Sequence, residues 1–244
     1  MLEDSLPASP TPDDFRALAR SSPWRFGMLH FTHTVPGEAP VEAWLRRPGS
    51  LEVVVDGARH VESGVPHTRS AVFGWDASGE PTQPRVLAAV TPQAVAPSLR
   101  SDGLVLKRPD EPEIEYDDPM WQNYRWVAML DPAELAHGVE VADVEVSTRL
   151  GRPTWTASCR PLQGEEGYQP RCSCCPLLFG EVSMAMDLDD PAAVRAREPE
   201  AGYPSGHRVS LDVATGVVVS VEPLDGDRRL SVFCNEIHEA TPLG

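Results

Sequence analysis

An α+β fold dominated by one antiparallel sheet is what this sequence predicts, on three observations. Apolar residues recur at every second position through Trp24, Phe26 and Met28, and again through Leu51, Val53 and Val55, which is the period of a β-strand. Pro36-Gly37, Pro48-Gly49 and Asp56-Gly57 place turns between these runs, so neighbouring strands are joined by the short connections that antiparallel pairing allows. Helix-start signals are few, and the helices they open are short. In the first strand Leu29 and Phe31 point opposite to Phe26 and Met28, so both faces carry bulk and both need cover.

Composition narrows the classes. The 244 residues are 41% hydrophobic, enough for one large β-rich domain over 11–244 behind a polar, Pro-interrupted tail at 1–10. The 21 basic residues against 37 acidic ones leave a net charge of -16, which repels phosphate backbones and anionic membranes, so nucleic acid is not an expected partner. Lys107 is the only lysine. No run approaches the ~20 apolar residues of a membrane span. The opening MLEDSLPASPTPDDF is acidic where an export signal is positive, so a cytoplasmic location is expected. The five cysteines are then expected reduced, as thiols or metal ligands rather than structural disulfides.

Taken in order, Thr11, Pro12 and Asp14 give an N-cap, a first-turn proline and an acid at the third position, and Phe15, Leu18 and Ala19 give the helix one apolar stripe. Strands follow from Trp24 to Val61, and Arg69 to Trp75 alternates again. Thr91-Pro92 opens a helix that Pro97 must end within two turns. The stretch PDEPEIEYDD holds six acids between Asp110 and Asp118, a pattern that usually stays solvated and does not match a calcium loop. Residues 119–130 fit helix or strand equally. Asp131 and Glu134 repeat the helix-start chemistry, with Asp131 as the cap and Gly138 as the stop. Hairpins follow over Val139 to Leu162, turning at Leu150-Gly151-Arg152, and over Gly206 to Pro223, before a last strand from Arg229 to Ile237. The count is about nine or ten strands and three short helices.

The leading helix FRALAR, the strand ending HFTHT, the second strand EAWLRRPGSLEVVVDG, and the terminal pair SLDVATGVVVSVEPLDG and LSVFCNEI resemble the LolA-like superfamily, the lipoprotein-carrier and RseB-type fold, in a divergent, actinobacterial-type form. The resemblance implies a strongly curved sheet, an unclosed half-barrel covering short helices, whose hollow holds an acyl chain or lipid or serves as a docking platform. It accounts for strands that are apolar on both faces.

The local cluster with chemical character is Cys172-Ser173-Cys174-Cys175. Four thiolates hold zinc, and Cys159 and Cys234 on flanking strands are candidates to complete a set. Zinc pairs favour two to four intervening residues, whereas C-x-C-C offers one or none, closer to soft-metal binding. Buried or loop thiols without a role are the plainer alternative. His30 and His33 lie three apart on a strand, hence on opposite faces, and do not chelate together. No nucleophile elbow, zincin helix, phosphate loop or dinucleotide fingerprint occurs. The expectation is a non-enzymatic binding protein holding an apolar ligand on the concave face, lined by Phe26, Met28, Leu45, Val53, Phe73 and Trp126. The alternatives are a protein-interaction module using the acidic loop at 110–118, and a zinc or thiol site at Cys172 to Cys175.

Overall fold

A computed structural model describes residues 6–64, 71–72, 74–82, 85–86, 89–188, 202–226 and 232–243. The capping chemistry at Thr11 starts helix α1 (Pro12–Ser21). Thr11 Oγ1 accepts the Asp14 N–H at 3.3 Å while the Asp14 carboxylate accepts the Thr11 N–H at 2.8 Å. Phe15, Leu18 and Ala19 are buried as the stripe requires.

Four strands follow as a meander, β1 (Met28–Thr34), β2 (Val41–Arg46), β3 (Ser50–Val55) and β4 (Ala58–Ser63). A long excursion carries two small ribbons, β5 (Ala71–Val72) with β6 (Arg85–Val86) and β7 (Ser98–Leu99) with β8 (Val105–Lys107), and then helix α2 (Arg125–Leu130). The chain returns as β9 (Val139–Arg149) and β10 (Arg152–Pro161), passes through helix α3 (Glu181–Leu188), and ends with β11 (His207–Asp212), β12 (Val218–Pro223) and β13 (Phe233–Thr241).

The main sheet has nine strands in the order β4-β3-β2-β1-β13-β12-β11-β10-β9, all antiparallel. It is open, with β4 and β9 at its edges. Two meanders therefore meet at one seam, where the first strand pairs with the last. Met28 stands opposite Thr241 and Thr34 opposite Cys234, with one irregularity between His30 and Phe31. Leu29, Phe31 and His33 of β1, Val41, Ala43 and Leu45 of β2, and Leu51 and Val53 of β3 turn to the core, where Trp126 of α2 packs against Phe31 and His33, while α1 lies against β8, β9 and β10.

The far end of the β9-β10 hairpin bends over the other face. Arg149 Nη2 donates to Cys234 Sγ at 3.2 Å. In a flat sheet four strand spacings would hold β9 and β13 about 19 Å apart. The left-handed backbone of Asp143, φ 51°, and the irregularity between Thr156 and Ser158 supply the bend.

Several sequence expectations are corrected. Trp24 does not begin a strand: Ser22–Trp24 is one 3-10 turn continuing from α1, and the Trp24 indole N–H points to the carbonyls of Pro92 and Val95 at 2.8 and 3.0 Å. Residues 125–130 are helical, with Trp126 set against Phe31 and His33. Asp131 caps nothing with its side chain, because two arginines claim its carboxylate. Of the strand expected over Arg69 to Trp75, the described residues hold Ala71–Val72 and a bridge from Trp75 to Pro81, while 69, 70 and 73 lie outside them; α3 had no forecast. Among the described residues no helix is long and apolar enough to cross a membrane.

Candidate functional site

Glu134 lies in a 3-10 turn, Ala133–Leu135, directly after α2 and is buried. Its carboxylate accepts the Leu177 N–H at 2.9 Å, the Arg171 N–H at 3.2 Å and the Tyr168 hydroxyl. Tyr168, itself buried, accepts the Leu178 N–H at 3.2 Å. Arg171 and Leu177 are the residues on either side of Cys172-Ser-Cys-Cys-Pro176, so one carboxylate fastens both ends of the cysteine loop.

The clamp continues outward through charge. Arg171 pairs with Asp117 and with Asp131, and Asp131, with no exposed side chain, also receives Arg108 through both guanidinium nitrogens. Burial pushes the Asp131 carboxyl up, but Arg108 and Arg171 outweigh it and hold it below the usual carboxylate range. Glu134 moves the other way, because burial exceeds the effect of its donors and raises it. Arg47 grips Asp118 in the same bidentate manner, at 3.0 and 2.7 Å.

Within the loop the Cys172 and Cys174 sulfurs are 2.8 Å apart and those of Cys174 and Cys175 are 3.8 Å apart. All three lie within 4.8 Å of one another. Cys175 is buried, Cys172 half-buried and Cys174 exposed, so the group opens to solvent on one side. Burial raises the Cys172 thiol, yet hydrogen bonds from Cys174 and Cys175 leave it below its ordinary value; burial together with its neighbours raises Cys175.

The other expected ligands lie elsewhere. Cys159 is fully buried in β10, where burial pushes its thiol up to about 12, and Cys234 accepts the Arg149 hydrogen bond on β13. Neither belongs to the group formed by Cys172, Cys174 and Cys175. His30 and His33 do face opposite ways: His33 is buried against Asn235 at 2.8 Å, and His30 meets Glu42 at 2.9 Å on the outer face.

Of the residues expected to line a concave hollow, Phe26, Leu45, Val53 and Trp126 are 1%, 0%, 0% and 3% exposed. They belong to the continuous core, although Trp126 also touches a cleft of about 80 Å3. Met28 is half-buried on the face of β1 opposite to Leu29, and Phe73 lies outside the described residues. In the acidic stretch Asp117 and Asp118 are committed to Arg171 and Arg47, which leaves Asp110 and Glu111 as its exposed acids.

The sequence reading missed Glu134, Tyr168 and Arg171 as the residues that shape the loop. Glu134 carried the signal of a helix-start acid, and nothing local announces that its partners stand about forty residues further on. Comparison with known proteins finds no family model and no curated protein that matches this chain.

Proposed function

We propose that this chain is a binding protein whose cysteine loop takes up a soft metal ion through the thiolates of Cys172, Cys174 and Cys175. The observation that carries this reading is the convergence of three sulfurs within 4.8 Å on a loop fixed at both ends. Two thiolates at the ~2.3 Å bond length of a tetrahedral thiolate site lie about 3.8 Å apart. Cys174 and Cys175 already have that spacing, and Cys172 reaches it by moving about 1 Å outward on the open side. Three thiolates without a fourth protein donor suit a cuprous ion, or zinc with its last position given to an outside ligand. The loop would supply soft, deprotonated sulfur and a closed wall on the Cys175 side.

Anaerobic titration with Cu(I) and with Zn(II) against a competing chelator, followed by native mass spectrometry, tests it. One ion per chain, lost in the Cys172→Ser, Cys174→Ser, Cys175→Ser variant and kept in Cys159→Ser and Cys234→Ser, is the expected result. Binding that survives the triple substitution sinks it.

The 2.8 Å approach of Cys172 to Cys174 favours a second reading, a dithiol that closes reversibly to a disulfide. Thiol counting after mild oxidation separates the two. The LolA-like resemblance remains part of our reading of the fold, supported by the open nine-stranded sheet and the few short helices.

A further inference from the structure

A second site, separate from the thiols, lies beyond the Arg171 side of the loop. A pocket of about 610 Å3 lies between Arg20 at the end of α1, Leu106, Lys107 and Pro109 along and after β8, Tyr116 and His137. That volume is within the ~300–1,000 Å3 range of small-molecule sites.

Its lining combines apolar and charged side chains. The apolar lining is made by Leu106, Pro109, Ala133 and the ring of Tyr116, whose hydroxyl donates to the Pro109 carbonyl at 2.9 Å. Leu106 is 59% exposed, an apolar side chain that the protein leaves in water. The polar lining sets Arg20, Lys107, Arg108 and Arg171 against the carboxylates of Asp110 and Glu134, in a chain of net charge -16, and the only lysine stands among them.

The cations are not equally available. Arg108 and Arg171 are spent on Asp131, and Arg108 is further held over the rings of Tyr116 and Trp24, at 4.9 and 5.7 Å. Arg20 donates to the Val105 carbonyl at 3.3 Å and makes no ion pair with a carboxylate among the described residues. Lys107 is exposed and likewise makes none there. Burial lowers the Arg20 pKa; Asp13 raises it, while Arg108, Arg100 and Arg16 add to the lowering.

We infer that this pocket binds an amphiphilic organic anion, with its apolar body against Leu106, Pro109 and Tyr116 and its charged head between Arg20 and Lys107. The head is a carboxylate or a phosphate monoester, each of which accepts several N–H donors at once. The body is short, since the pocket is open to water and does not enclose a long chain.

Isothermal titration of the full chain with decanoate, decyl phosphate, 1-decanol and inorganic phosphate, each below its aggregation limit, decides the matter. Saturable one-to-one binding of decanoate or decyl phosphate is expected, with decanol and inorganic phosphate at least tenfold weaker. Whichever of the two amphiphiles binds more tightly identifies the head group. Lys107→Glu, an exposed change that leaves the core intact, and His137→Glu on the same rim are each expected to weaken binding about tenfold. Equal affinity for decanol, equal affinity for inorganic phosphate, absence of saturable binding, or indifference to both substitutions would overturn the inference. Because the triple cysteine variant keeps this pocket, its titration reads the site independently of metal uptake.

Discussion

Glu134 receives the backbone N–H of Leu177 at 2.9 Å, from the far end of the cysteine loop. With the Arg171 N–H on its other oxygen, the carboxylate sets the loop's width. Glu134→Gln turns an amide nitrogen toward one of three donors, and a buried unsatisfied donor costs about 1–3 kcal/mol. Urea unfolding is expected to show a loss of that size, and the affinity of the loop for a soft metal ion to fall about tenfold. An unchanged metal affinity in a folded Glu134→Gln protein would mean that the loop holds its own shape.

Asp131 and Asp13 provide a matched contrast. Asp131 has no exposed side chain and holds two guanidiniums, whereas Asp13 is 75% exposed and meets Arg100 at 2.9 Å. Removing one partner of a buried pair costs about 3–5 kcal/mol, and an exposed pair contributes about 0–1 kcal/mol. Asp131→Asn is therefore expected to destabilise several-fold more than Asp13→Asn in the same denaturation assay. Similar midpoints for the two variants would refute the assigned weights.

Stability should fall in mild acid. Burial lowers His33 and His207 from 6.5 to about 4; His207 has no hydrogen-bond partner for either ring nitrogen among the described residues. Each ring is neutral in the folded chain, so the unfolded chain takes up the proton first. The contribution is complete above the unfolded value of about 6.5 and is lost as pH falls toward 4, at roughly 3 kcal/mol per ring. Urea midpoints measured between pH 7 and pH 4.5 are expected to decline, and His207→Phe to flatten the decline without loss at pH 7. An equally steep profile in that variant would rule His207 out as a source.

Gly138 cannot accept a side chain. A Cβ there would sit 2.1 Å from the Gly167 carbonyl oxygen, and its φ is 63°. Gly151, at the β9-β10 turn, has φ 80° and nothing within 4 Å. Gly151→Ala is expected to cost about 1–2 kcal/mol from the backbone alone. Gly138→Ala adds a backbone clash and is expected to cost at least about twice that, read by thermal unfolding.

How far the sequence foretold this structure depends on how local each signal is. The capping box at Thr11 and Asp14 and the β2-β3-β4 turns at Pro48-Gly49 and Asp56-Gly57 act within four residues, and they were legible. Asp131 was misread because its helix-start signal is local while its partners, Arg108 and Arg171, lie 23 and 40 residues away. Asp117 and Asp118 were taken with the solvated acids for the same reason: their guanidinium partners are 54 and 71 residues distant. The thiol group was visible as a cluster but not as a shaped one, since C-x-C-C says nothing of the carboxylate that gathers it. The apolar face of β1 to β3 was legible; that Trp126 of α2 packs against it was not, because alternation reports burial and not what lies opposite.

The seam between β1 and β13 places partners 202 residues apart at the centre of the sheet. During synthesis β1 to β4 can form their meander early, yet β1 then presents an unsatisfied edge backed by Leu29, Phe31 and His33 until nearly the whole domain has been made. A strand that ends in the middle of the sheet is thus the one that waits longest for its partner, and the newborn chain is most prone to self-association during that wait.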